Sequence, residues 1–93
     1  MAWGQSKPPR AVRKAAEALE AAQQRQVDTH QNSREIRQQM RGTAAAHQAI
    51  RSGNAMNRSA DKNVRRAEKA LERAAESAAK KAAAKAAKKA RGR

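Results

Sequence analysis

Large apolar side chains are thinly spread along this chain, and most of those present recur at helical spacing. Val12 and Leu19 lie seven residues apart, and a longer ladder of Ile36, Thr43, Ile50, Asn57, Val64, Leu71 and Ala78 repeats at the same interval. Seven residues are about two turns of α-helix, so each series marks one stripe on a helical face. A tight coiled coil needs apolar residues at a second seam position in every heptad. Here the companions are His47, Asn54, Asp61 and Glu68, which disfavours a long homodimeric zipper. The stripe therefore predicts docking on another helix of the same chain, with an obligate oligomer or a chain ordered only on binding as the alternatives.

The elements follow from the residues between these positions. Gly4 and the Pro8-Pro9 pair mark residues 1–9 as a flexible N-terminal arm, with Pro9 suited to a first helical turn. Residues 10–26 are almost wholly strong helix formers. Residues 28–33 are rich in capping types, and Asn32 with Glu35 has capping-box spacing, so a restart and an uninterrupted helix are both open there. Gly42 offers a stop and Thr43 a cap for a short segment from Ala44 to Arg51. Residues 52–57, Ser-Gly-Asn-Ala-Met-Asn, read as the clearest interruption. A long helix is then expected to start at residues 58–77, with Ser59 as N-cap and Asp61 in its first turn, and to run on into a basic Lys/Ala tail at residues 78–93. The expected fold is all-α: elongated helices forming a hairpin or short bundle with flexible termini, no β-sheet and a small alanine-rich core.

Composition narrows this further. Hydrophobic residues make up 39% of the 93-residue chain, but most are alanine; the bulky ones are Met1, Trp3, Val12, Leu19, Val27, Ile36, Met40, Ile50, Met56, Val64 and Leu71. Burying one large aliphatic side chain contributes roughly 1.5–3 kcal/mol, against about 1–2 kcal/mol of backbone entropy for each ordered residue. So few bulky groups cannot support a globule, and a thin or partner-stabilised helical structure is expected. No cysteine is present, which removes disulfides and thiol chemistry. Residues 1–9 lack the apolar segment of a signal peptide and no stretch has transmembrane length, so a soluble intracellular protein is expected.

Charge supplies the functional signal. Lys and Arg number 22 against 8 acidic residues, a formal net charge of +14 that attracts polyanions. The charge concentrates in residues 78–93, where Lys80, Lys81, Lys85, Lys88, Lys89, Arg91 and Arg93 occur with no acid. On a helix the first six cover about half the circumference, with Ala82, Ala83, Ala86, Ala87 and Ala90 behind them. Like charges one turn apart oppose the helix by a few tenths of a kcal/mol each, so the tail is expected to fray when free and gain helix on DNA or RNA. Contacts of this kind hold phosphates and carry no base identity. The run from Lys80 to Ala90 resembles the Lys/Ala-rich tails of linker histones and of bacterial histone-like nucleoid proteins. The resemblance covers about a sixth of the chain and implies non-specific binding and charge neutralisation of DNA; the upstream sequence lacks the strands of a winged-helix or β-arm domain.

Other basic residues sort into two groups. Arg34, Arg37 and Arg41, with only Glu35 nearby, are second candidate phosphate contacts. Arg58, Arg65, Arg66, Lys69 and Arg73 interleave with Asp61, Glu68, Glu72 and Glu76. The pairs Arg65–Glu68, Lys69–Glu72, Arg73–Glu76 and Glu76–Lys80 have salt-bridge spacing, so that stretch reads as a self-compensated solvated face. Trp3, Ile36, Met40, Ile50, Val64 and Leu71 are candidates for docking, with base stacking, a membrane interface or a mobile side chain as alternatives for Trp3.

Chemistry beyond binding is not indicated. His30 and His47 are too few to close a metal site, and Glu17 with Glu20 sits beside Arg13 and Lys14 on a helix face. Gly42 and Gly53 are isolated rather than part of a phosphate loop. No cofactor, metal or catalytic residue is expected. The leading expectation is a non-enzymatic, sequence-independent nucleic-acid-binding accessory protein, cytoplasmic or nucleoid-associated. The alternative is a structural or scaffold subunit of a larger assembly such as a virion, ordered by its neighbours or by self-association, with the tail facing packaged nucleic acid. A membrane-surface role fits less well, because alanine makes a poor insertion face.

Overall fold

The computed structural model describes residues 8–92 and consists of two long helices, α1 (Arg10–Gln39) and α2 (Ala46–Arg91). They fold back on one another as an extended antiparallel hairpin measuring 76 × 24 × 13 Å. Among the described residues there is no strand. The all-α hairpin expected from the sequence is the fold; Trp3, Arg93 and most of the N-terminal arm lie outside the described residues.

The two helices meet along a heptad seam read from the alternating pattern of burial. On α1 it runs through Val12, Ala15, Leu19, Ala22, Gln26, Thr29 and Ser33, at spacings of three and four. On α2 it runs through Gly53, Asn57, Ala60, Val64, Ala67, Leu71, Ala74 and Ala78. The companions of the seven-residue ladder are thus three residues away, at Gly53, Ala60, Ala67 and Ala74, rather than at the polar positions four residues away. The ladder itself is divided, with Ile36 on α1 and Ile50 to Ala78 on α2.

The core is as small as the composition demands. Ala60 (8% exposed) and Val64 (6%) are its buried apolar residues, joined by buried Ser33 and Gly53. Gly53 marks a close approach: a Cβ there would stand 3.3 Å from the Ser33 Cβ. Small residues let two helix backbones come together, so dispersion between them substitutes for bulky side chains.

Two expected breaks are absent. Helix α1 passes through residues 28–33 and α2 passes through residues 52–57 without interruption, and Ser59 lies inside α2 rather than capping it. The reason is packing. Ser33, Gly53 and Asn57, which suit turns in isolation, sit on the seam, where their small or polar side chains serve the opposite helix. The Ser33 hydroxyl donates to Asn57 Oδ1 at 3.0 Å, with the Gly53 carbonyl 3.4 Å away.

Only the stop near residue 42 is realised. Gly42 takes φ +78°, a left-handed conformation costly for other residues. Thr43 does not cap α2; its hydroxyl donates back to the Met40 carbonyl at 2.6 Å, closing the end of α1. At the other end, Pro9 immediately precedes α1 and its carbonyl accepts the Arg13 N–H at 3.0 Å.

Candidate nucleic-acid interface

Helix α2 has 46 residues and α1 has 30, so the pair cannot end together at both extremities. They share the turn, and the surplus of α2 projects beyond Pro9. Pro9 and Ala11 border a shallow groove with Ala78, Lys81, Ala82 and Lys85, which locates the place where α1 gives out. Ala78 is the last half-covered residue; every residue from Ala79 to Gly92 is exposed. The overhang is about 20 Å of single helix at 1.5 Å per residue.

The overhang begins where the seam changes chemistry. Continuing the heptad of Val64, Leu71 and Ala78 places Lys85 next, and continuing that of Ala60, Ala67 and Ala74 places Lys81 and Lys88. Lysine therefore occupies the seam positions once α1 is no longer there to cover them. Lys80, Lys81, Lys85, Lys88, Lys89 and Arg91 are all exposed. The helix continues to Arg91, and the Gly92 N–H bonds the Lys88 carbonyl at 3.1 Å. Alanine propensity favours the helix here, and Lys88, Lys89 and Arg91 in the last turn complement the helix dipole.

Arg34, Arg37 and Arg41 are not brought to the overhang. They lie at the turn end of the hairpin, where Arg37 and Arg41 border a surface groove with Gly42, Ala46 and Ile50. Arg37 Nη2 donates to Asn54 Oδ1 at 3.4 Å, linking it to α2. Ile36, Met40 and Ile50 are exposed at this end, at 36–37%. Val64 and Leu71 are instead covered by α1.

One polar cluster crosses the seam. Asp61 Oδ1 accepts the Gln26 side-chain amide at 2.8 Å and the His30 Nε2 proton at 2.9 Å. Those hydrogen bonds, Gln26 first and then His30, hold the Asp61 carboxyl below its ordinary value, with the charges of His30 and Arg65 adding to the effect. A polar group at such a position fixes register between helices. Sequence reading placed Asp61 in a first helical turn and missed this role, although its spacing of three before Val64 was a signal.

The salt bridges expected along the helices do not form. Among the described residues, the one oppositely charged pair within 4.0 Å is His30–Asp61. Arg65–Glu68, Lys69–Glu72, Arg73–Glu76 and Glu76–Lys80 are not joined, nor are Glu17 and Glu20 joined to Arg13 or Lys14. Among the described residues no cluster of three potential metal ligands occurs, and no helix is long and apolar enough to cross a membrane. No protein-family model matches the chain, and no curated protein or solved structure is significantly similar to it.

Proposed function

We propose that the protein is a non-enzymatic nucleic-acid-binding accessory protein that grips phosphates with the overhang of α2 and reads no base sequence. The observation that carries this reading is the exposed, uncovered helix from Ala79 to Arg91, which bears six cations and no acid. A helix of this kind presents charges to a phosphate backbone without a fold having to form around the ligand. To the extent that the tail is helical before it binds, less ordering entropy opposes binding.

The test is duplex binding by full-length protein and by a chain lacking residues 80–93, across 50–200 mM salt. Wild type should show a log–log salt slope of roughly −4 or steeper, and truncation should reduce affinity at least a hundredfold. Equal affinity of the two chains overturns the reading.

A second reading, a scaffold subunit of a larger assembly, is favoured by the exposure of Val27 (51%) and Met56 (55%) together with Ile36, Met40 and Ile50 on a molecule with so small a core. Sedimentation at micromolar concentration distinguishes the two: a monomer favours the accessory protein and a defined oligomer favours the scaffold.

A further inference from the structure

The middle of α2 carries cations that form no ion pair within 4.0 Å with its glutamates. Lys62, Arg65, Arg66 and Lys69 line one shallow groove on the helix surface, and none is within 4.0 Å of a carboxylate. Their direction follows from the seam. Counting about 100° per residue from Val64, which faces α1, Arg51, Arg58, Lys62, Arg65, Arg66, Lys69, Arg73 and Lys80 all fall between about 100° and 200°. That arc is the back of α2, turned away from α1. Asp61, Glu68 and Glu72 fall at about 40° to 80°, on the flank beside α1. Glu76, at about 120°, is the one acid of α2 within the arc.

Lys80 and Arg91, at about 160° and 180°, carry the same line into the overhang, while Lys88, Lys81, Lys85 and Lys89 turn away from it to about 240°, 260°, 300° and 340°. From Arg58 to Arg91 the cations of this arc thus form a track spanning about 50 Å, dense from Arg58 to Lys80 and carried beyond it by Arg91. We propose that this track binds duplex nucleic acid lengthwise, with Arg58, Lys62, Arg65, Arg66, Lys69 and Arg73 adding to the grip of the overhang. The proposal rests on the reading of the overhang as a phosphate-binding element.

Three features select a duplex. The cations are exposed and laid out in a row, whereas a compact anion needs donors that converge. Single-strand binders use aromatic side chains as stacking platforms, and the only aromatic residue of the chain is Trp3. A duplex is straight over distances far longer than this track, its persistence length being about 500 Å, so a rigid rod and a rigid duplex can stay in contact throughout. At about 3.4 Å per base pair the track matches about 15 base pairs, and the overhang alone about six.

The experiment uses full-length protein, a labelled 24-base-pair duplex and two variants: Lys62→Gln, Arg65→Gln, Arg66→Gln and Lys69→Gln combined, and Lys80, Lys81, Lys85, Lys88 and Lys89 all changed to Gln. The middle variant should bind at least tenfold more weakly, with a salt slope shallower by about 3. If it binds like wild type while the overhang variant has lost affinity, the track is overturned and the proposed function stands. If both bind like wild type, the proposed function falls and the track with it. A wild-type length series requires no substitution: affinity should rise with duplex length to about 15 base pairs, and a plateau at about six overturns the track.

Discussion

Val64 and Lys85 stand at the same heptad position of one continuous helix, three repeats apart, and meet opposite fates. Val64 is 6% exposed beneath α1, whereas Lys85 is exposed, on the rim of the groove beside Pro9. The helix is the same on both sides of the boundary, but what holds it differs. In the paired rod, modest propensity at Ser33, Gly53 and Asn57 is overridden by the opposite helix. In the overhang no described residue of α1 lies opposite beyond Pro9, and alanine propensity favours the helix. A paired seam and a basic overhang are thus built on one helix by changing which residues occupy the two seam positions.

The sharpest way to break this division is to truncate both residues. Val64→Ala removes two buried carbons and should cost about 1.5 kcal/mol, visible as a lower midpoint in thermal or urea melts followed by circular dichroism. Lys85→Ala should change stability by less than about 0.5 kcal/mol. Equal losses at the two sites would mean that α1 covers the overhang after all.

A smaller effect is expected at Gly53. Replacing it with alanine gains up to about 1 kcal/mol of helix propensity, but the new Cβ would stand 3.3 Å from the Ser33 Cβ. The two effects oppose one another, so Gly53→Ala should leave the melting temperature nearly unchanged. A rise corresponding to the full propensity gain would show that the helices are not in close contact there.

The smallest effect concerns pH. Asp61 has a lowered folded-state value, so its contribution is complete above the ordinary carboxylate value of 3.8 and is lost as pH falls through the depressed value. The rod should therefore lose stability on acidification below that range, and Asp61→Asn should remove part of the dependence. An identical pH profile for the two proteins would assign the loss to other groups.

How far the sequence announces these regions depends on what carries the information. The overhang is legible because its charge is written in consecutive residues, Lys80 to Arg91. The helical class is legible because alanine, glutamate, lysine and arginine dominate. The seam is not, since half of it consists of Gly53, Ala60, Ala67 and Ala74, which no hydrophobic pattern distinguishes from the alanines facing water. Asn57 and Ser33 have a use only when the other helix is present, so locally they resemble breaks. The cationic back of α2 was hidden for a related reason: spacing permits the pairs Arg65–Glu68 and Lys69–Glu72, and the folded side chains do not form them.

The turn at Gly42 has a kinetic consequence. Joining Ser33 to Asn57 closes a short loop through the turn, whereas joining Val12 to Ala78 closes one nearly three times as long; loop-closure entropy grows with that length, though slowly. Pairing can therefore propagate from the turn as a zipper, with the end nearest the overhang joining last and opening first. Separation of the two helices in the rod would therefore begin beside the lysines, at the end where α1 gives out.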